Sequence, residues 1–159
     1  MRGLGPDDPA WDQQQAPDAD LHERIVWGII LFVCLTLLIL AASIDPDRRG
    51  HGTHEQLGLP PCGIVEMYDV PCPSCGYTTT FAYAIRMRWI AAIVNQPFAF
   101  IVFLFTLAGI PTALRVIVRR WSILYTSQSW PWTRIVLGGI ALWLAAWAYK
   151  WYTWIPNAF

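Results

Sequence analysis

Charge is what this sequence has least of. Eleven Lys and Arg balance eleven Asp and Glu, charged residues make up 14% of 159, and the formal net charge at pH 7 is zero. Binding to nucleic acid needs clustered cations to displace phosphate counterions, so a nucleic-acid partner is excluded as a leading reading. The chain also lacks a Gly-rich phosphate loop, a nucleophile elbow and a His-Glu-x-x-His helix. Glu66 and Asp69 are the only carboxylates beside its cysteine cluster, which leaves a paired-carboxylate hydrolase without support. Cysteine is scarce too, at four residues, and no thioredoxin-like βαβ pattern surrounds it.

What the chain has is apolar surface. Hydrophobic residues reach 55%, with ten tryptophans, a balance suited to a bilayer rather than to water. Ile25 to Ile44 carries no charge and supplies the ~20 residues a helix needs to cross ~30 Å of hydrocarbon. A second span runs from about 98 to 118, with Pro111 tolerated as a kink and Arg115 able to snorkel toward headgroups. A third runs from about 135 to 155, with Lys150 near its end and Pro156 stopping it. Residues 1–24, rich in Asp, Pro and Gln, read as a disordered acidic tail. Ala41-Ala42-Ser43 offers small residues near a cleavage site, but the acidic lead-in and long apolar core favour an uncleaved anchor.

The expected fold is therefore an all-α integral membrane protein, one helical membrane domain over 25–159. It has three transmembrane helices, a cysteine loop over 57–77 and one amphipathic helix over about 78–94. That last helix carries Arg86 and Arg88 at its centre, where a spanning helix would lose several kcal/mol, so it is expected to be interfacial or re-entrant. Phe81, Ile85, Trp89, Ala92 and Ile93 fall on one face, and Thr79, Tyr83 and Arg86 on the other. Arg2, Arg24, Arg115, Arg119, Arg120 and Arg134 lie on one side of this arrangement, and Arg48, Arg49, Arg86, Arg88 and Lys150 on the other. The dense cluster at 115–120 places the N-terminus in the cytoplasm and the cysteine loop outside it.

The loop holds the chemistry. Cys62 precedes Cys72-Pro73-Ser74-Cys75-Gly76, a turn that can present two sulfurs to one tetrahedral ion because the glycine permits positive φ after the second ligand. Cys62, Cys72 and Cys75 give three ligands for zinc. A fourth must come from His51, His54, Glu66 or Asp69. The same turn at a helix start favours a thiolate, so a membrane thiol-disulfide oxidoreductase with Cys72 as nucleophile and Cys75 or Cys62 resolving is the alternative. A structural disulfide within the loop is the third reading. Cys34 reads as a small buried apolar side chain, and His51, His54 and Glu55 as a solvated loop. Trp143, Trp147, Trp151 and Trp154 form a stripe on the third span, a packing seam ending in an aromatic belt. Trp121, Tyr125, Trp130 and Trp132 form the opposite belt.

Cys62, Pro71-Cys72-Pro73-Ser74-Cys75-Gly76, Thr78, the helix that follows and Asn95 with Pro97 resemble the hallmark of the bacterial membrane proteins grouped as domain of unknown function 2752. The resemblance covers about residues 57–110. Thr79 stands where many members have Arg, Arg86-Met87-Arg88 where Gly-Asp is common, and Gln96 separates Asn95 from Pro97. It implies a small multi-span protein of a bacterial inner (plasma) membrane and supplies no activity. The expected function is a non-catalytic accessory or interaction module, partnered by the bilayer and by another membrane protein.

Overall fold

The computed structural model describes residues 18–154; residues 1–17 of the tail expected over 1–24 lie outside the described residues, as do 155–159. Seven helices and one 3-10 turn are formed among the described residues, and no strand: α1 Leu21–Ser43, the turn Thr53–Leu57, α2 Gly63–Tyr68, α3 Tyr77–Ile85, α4 Trp89–Asn95, α5 Pro97–Arg119, α6 Ile123–Ser127 and α7 Trp132–Tyr152. Three of them, α1, α5 and α7, are long and apolar enough to cross a membrane. Their 21 to 23 residues correspond to ~32–35 Å at ~1.5 Å per residue. This is an all-α integral membrane fold. Phe32 at 70% and Phe105 at 72% exposure face outward, where lipid rather than water is their solvent.

α1 starts within the expected tail, at Leu21, because the Asp20 side chain accepts from Glu23 N at 2.6 Å and caps the first turn. Glu23 is itself buried and accepts from Ile123 N and Leu124 N at 2.8 and 3.1 Å, tying the start of α1 to α6. Pro97 opens α5 at its first turn, where its missing N–H has no helical partner to lose. Cys34 is buried against α5, since a Cβ on Gly109 would lie 3.2 Å from its Sγ.

The segment expected as a single helix over 78–94 is two helices. A Schellman arrangement ends α3, with Arg88 N donating to Tyr83 O at 3.0 Å and Met87 N to Ala84 O at 3.0 Å. Met87 takes the left-handed conformation (φ 59) that this cap requires. The chain then doubles back, so that Asn95 at the end of α4 reaches Gly76 O and Thr80 Oγ1 at the start of α3, at 3.1 and 2.9 Å. At nine and seven residues neither helix can cross a bilayer.

The break also redistributes the two expected faces. Thr79, Thr80, Phe81, Ala82 and Ala84 are all buried, so α3 is enclosed on both faces, whereas Trp89 and Ile93 on α4 are exposed. Phe81 meets Phe103 of α5 edge to face at 5.4 Å within a core that includes Ala41, Ala84 and Ala92. Arg86 donates to Ala41 O at 3.0 Å and Ala42 O at 3.1 Å, capping the last turn of α1. The end of α1, the start of α5 and the end of α7 thereby share one face, and the 44–96 region covers it.

Candidate functional site: a three-thiol loop

Cys62 occupies the N-cap position of α2, and Cys72 begins the turn that feeds α3. Cys75 N donates to Cys72 O at 2.9 Å and Tyr77 N to Ser74 O at 3.2 Å, which folds the short loop back on itself. Gly76 then takes φ 87, the positive value the sequence pattern required, and a Cβ there would come within 2.6 Å of Gly50 O. These local rules bring the thiols together. Cys72 and Cys75 are buried with Val65, and Cys62 and Trp154 pack against them.

All four cysteines are free thiols in this structure. Cys62 packs against Cys72, and Cys72 Sγ lies 3.5 Å from Ser74 Oγ. Burial alone would push the Cys62 thiol up, but the N–H groups of Val65 and Ile64 and the Cys72 thiol outweigh it and hold Cys62 below the ordinary thiol value. Burial, with the Cys72 sulfur beside it, pushes Cys75 up to about 12. The two sulfurs are therefore pushed in opposite directions, Cys62 toward the thiolate and Cys75 toward the thiol.

The three cysteines line a cavity of about 540 Å³ together with His51, His54 and Glu66. Asp69 stands apart as the left-handed C-cap of α2, where its carbonyl accepts from Trp154 Nε1 at 3.0 Å. Among the described residues, no three or more His, Cys, Asp or Glu side chains are arranged to hold a metal ion. The sulfurs are gathered without closing the four-ligand zinc site that the sequence pattern suggests.

Two features escaped the sequence reading. The His51 segment, expected to be solvated, is buried: His51 stacks on Trp154 with ring centroids 4.7 Å apart, and Thr53 Oγ1 meets Thr79 Oγ1 at 2.7 Å. His51 is held below its ordinary pKa by burial and by the nearby Arg49 and Lys150 charges. The face of α7 that meets the loop carries Trp147 and Lys150, with Trp154 just past the helix end, while Trp151 of the expected stripe is 49% exposed. Trp147 Nε1 donates to Pro71 O at 3.0 Å. Lys150 is 6% exposed and donates to Gly50 O, Asn95 O and Asn95 Oδ1 at 3.3, 3.3 and 3.0 Å. The clue in the sequence was a cation interrupting a tryptophan stripe.

No curated protein and no solved structure matches the chain. The family model described as protein of unknown function (DUF2752) matches residues 62–110, from Cys62 through α3 and α4 into α5, and so supports the family resemblance over the stretch that carries the thiols.

Proposed function

We propose that the protein is a membrane accessory or interaction module whose working part is the cysteine loop, acting as a reversible dithiol–disulfide couple between Cys62 and Cys72. The observation that carries this reading is the packing of Cys62 against Cys72 on the wall of one cavity. The partner is a second membrane protein or domain bearing a disulfide. Cys62 thiolate attacks one partner sulfur, and a mixed disulfide forms as the other partner sulfur leaves and takes up a proton. Cys72 then loses its proton and attacks the Cys62 sulfur, which releases the second partner thiol. The loop gives up two electrons and two protons, and the partner disulfide becomes two thiols.

This assignment reverses the roles the sequence alone suggests, because Cys62 rather than Cys72 meets the N–H groups that stabilise a thiolate. Cys75, buried and protonated, is the bystander sulfur. The couple fits an extracytoplasmic loop of a bacterial inner-membrane protein, since a disulfide persists in an oxidising compartment. The Arg115, Arg119 and Arg120 cluster near the opposite end of α5 favours that orientation. Zinc held by Cys62, Cys72, Cys75 and His51 or His54 is the competing use of the same side chains.

Full-length protein purified in detergent and oxidised with glutathione disulfide should lose two free thiols, with mass mapping placing the bond at Cys62–Cys72. Cys62→Ser and Cys72→Ser should each prevent it, and Cys75→Ser should not. Stoichiometric zinc, with thiols released only on chelation, would overturn the redox reading.

A further inference from the structure

A second cavity, of about 300 Å³, opens beside the thiol loop between α4, the end of α7 and residues 48–50. Its polar lining includes Arg48, Arg49, Asn95, Tyr83, Tyr149 and Lys150, and no Asp or Glu lines it. Arg49 is taken up by Asp47 and Glu55, at 2.8 and 3.1 Å. Arg48 is exposed and makes no ion pair among the described residues. Lys150 is buried and meets three carbonyl oxygens but no carboxylate. Carbonyl dipoles satisfy its N–H groups and leave its charge without a counterion, a costly arrangement in a low-dielectric site.

The position narrows the anion's chemistry. The cavity lies where the apolar helix α7 ends, and Tyr149, Tyr83 and Trp154 line it, the residue types that favour a membrane interface. The volume exceeds what a small inorganic anion needs and can admit a headgroup. A basic pocket without carboxylates suits an anionic headgroup, and a guanidinium pairs with phosphate oxygens through two parallel N–H bonds.

We propose that this cavity binds the phosphate of an anionic lipid headgroup, with Arg48 as the accessible clamp and Lys150 as the buried counter-charge. Arg48 closes over the phosphate from the loop side. Lys150 draws the phosphate inward from the end of α7.

The test uses full-length protein in neutral detergent, followed by thermal unfolding and native mass spectrometry as short-chain phosphatidylglycerol, phosphatidylcholine or inorganic phosphate is added. Phosphatidylglycerol should raise the unfolding temperature and remain bound, with little effect from phosphatidylcholine. Arg48→Ala, a surface change outside the thiol loop, should weaken phosphatidylglycerol binding about tenfold, and Lys150→Arg should retain it. Equal protection by inorganic phosphate, also lost in Arg48→Ala, would uphold a phosphate site but assign its ligand to a free phosphate. Equal protection by phosphatidylcholine, or binding unaltered in Arg48→Ala, would overturn the proposal.

Discussion

Replacing Gly76 with alanine should damage the loop more than any other single methyl group added to it. Two costs add. The left-handed backbone at φ 87 disfavours an L side chain by ~1–2 kcal/mol. The new Cβ would lie 2.6 Å from Gly50 O and 3.0 Å from Asn95 Nδ2, and Gly50 O belongs to backbone that cannot swing aside as a side chain can. Moving it stretches the Lys150 bond to the same oxygen, already 3.3 Å, and a bond from a charged donor contributes ~1.5–3 kcal/mol. The total is ~2.5–5 kcal/mol. Gly58 provides the control, since its φ of 76 carries the same conformational cost but a Cβ there meets nothing within 4 Å. Gly58→Ala should therefore cost only ~1–2 kcal/mol. Denaturant unfolding in mixed micelles, followed by intrinsic tryptophan fluorescence, measures both. Equal losses for the two variants would refute the claim that Gly76 is fixed by close approach as well as by φ.

Met87 occupies a left-handed position with its side chain 72% exposed, so Met87→Gly should stabilise the protein by ~1 kcal/mol; a lower unfolding midpoint would contradict the Schellman cap. Arg86 makes three carbonyl bonds and an ion pair, whereas Arg88 only lies 4.8 Å over the Tyr83 ring. Arg86→Met should cost ~2–4 kcal/mol and Arg88→Met under ~1, and a reversed order in the same unfolding assay would count against the capping role. Thr79→Val removes one partner of the buried Thr53 hydroxyl, which still accepts from Asp47 N at 3.0 Å, and should cost ~0.5–1.5 kcal/mol, with a double-mutant cycle against Thr53→Val giving a coupling that vanishes if the 2.7 Å contact does not form. Cys75 titrates at an ordinary 9.0 when unfolded and at about 12 when folded. Its raised pKa contributes stability that is complete below pH 9.0 and lost as pH rises through about 12. Cys75→Ala should flatten that part of the stability profile, and an unchanged slope would refute it.

The spans were legible because length and apolar content are sufficient for a bilayer helix. So was the Gly76 turn, where a cysteine pair followed by glycine encodes its own backbone geometry. The division of the helix expected over 78–94 was hidden because the left-handed residue that follows the α3 C-cap is Met87, and methionine carries no signal for a left-handed turn. Arg86 argued correctly against a spanning helix, but its actual role depends on carbonyls of α1 more than forty residues away. His51 looked solvated between two glycines because the aromatic surface that buries it, Trp154, lies about a hundred residues downstream. Lys150 was placed near a helix end by the sequence, but its burial against Asn95 is decided by tertiary packing.

The cysteine loop is held chiefly through its peptide carbonyls. Trp154 grips Asp69 O, Trp147 grips Pro71 O, Asn95 grips Gly76 O and Lys150 grips Gly50 O. A peptide carbonyl is present whatever side chain a position carries. These contacts therefore do not depend on the side chain at the accepting position, whereas they do depend on the donors. Three of those donors, Trp147, Lys150 and Trp154, lie beyond the 62–110 stretch that the family model covers. A tryptophan, a lysine three residues on and a tryptophan four beyond that, on the last span, form a signature by which distant relatives sharing this loop geometry can be recognised.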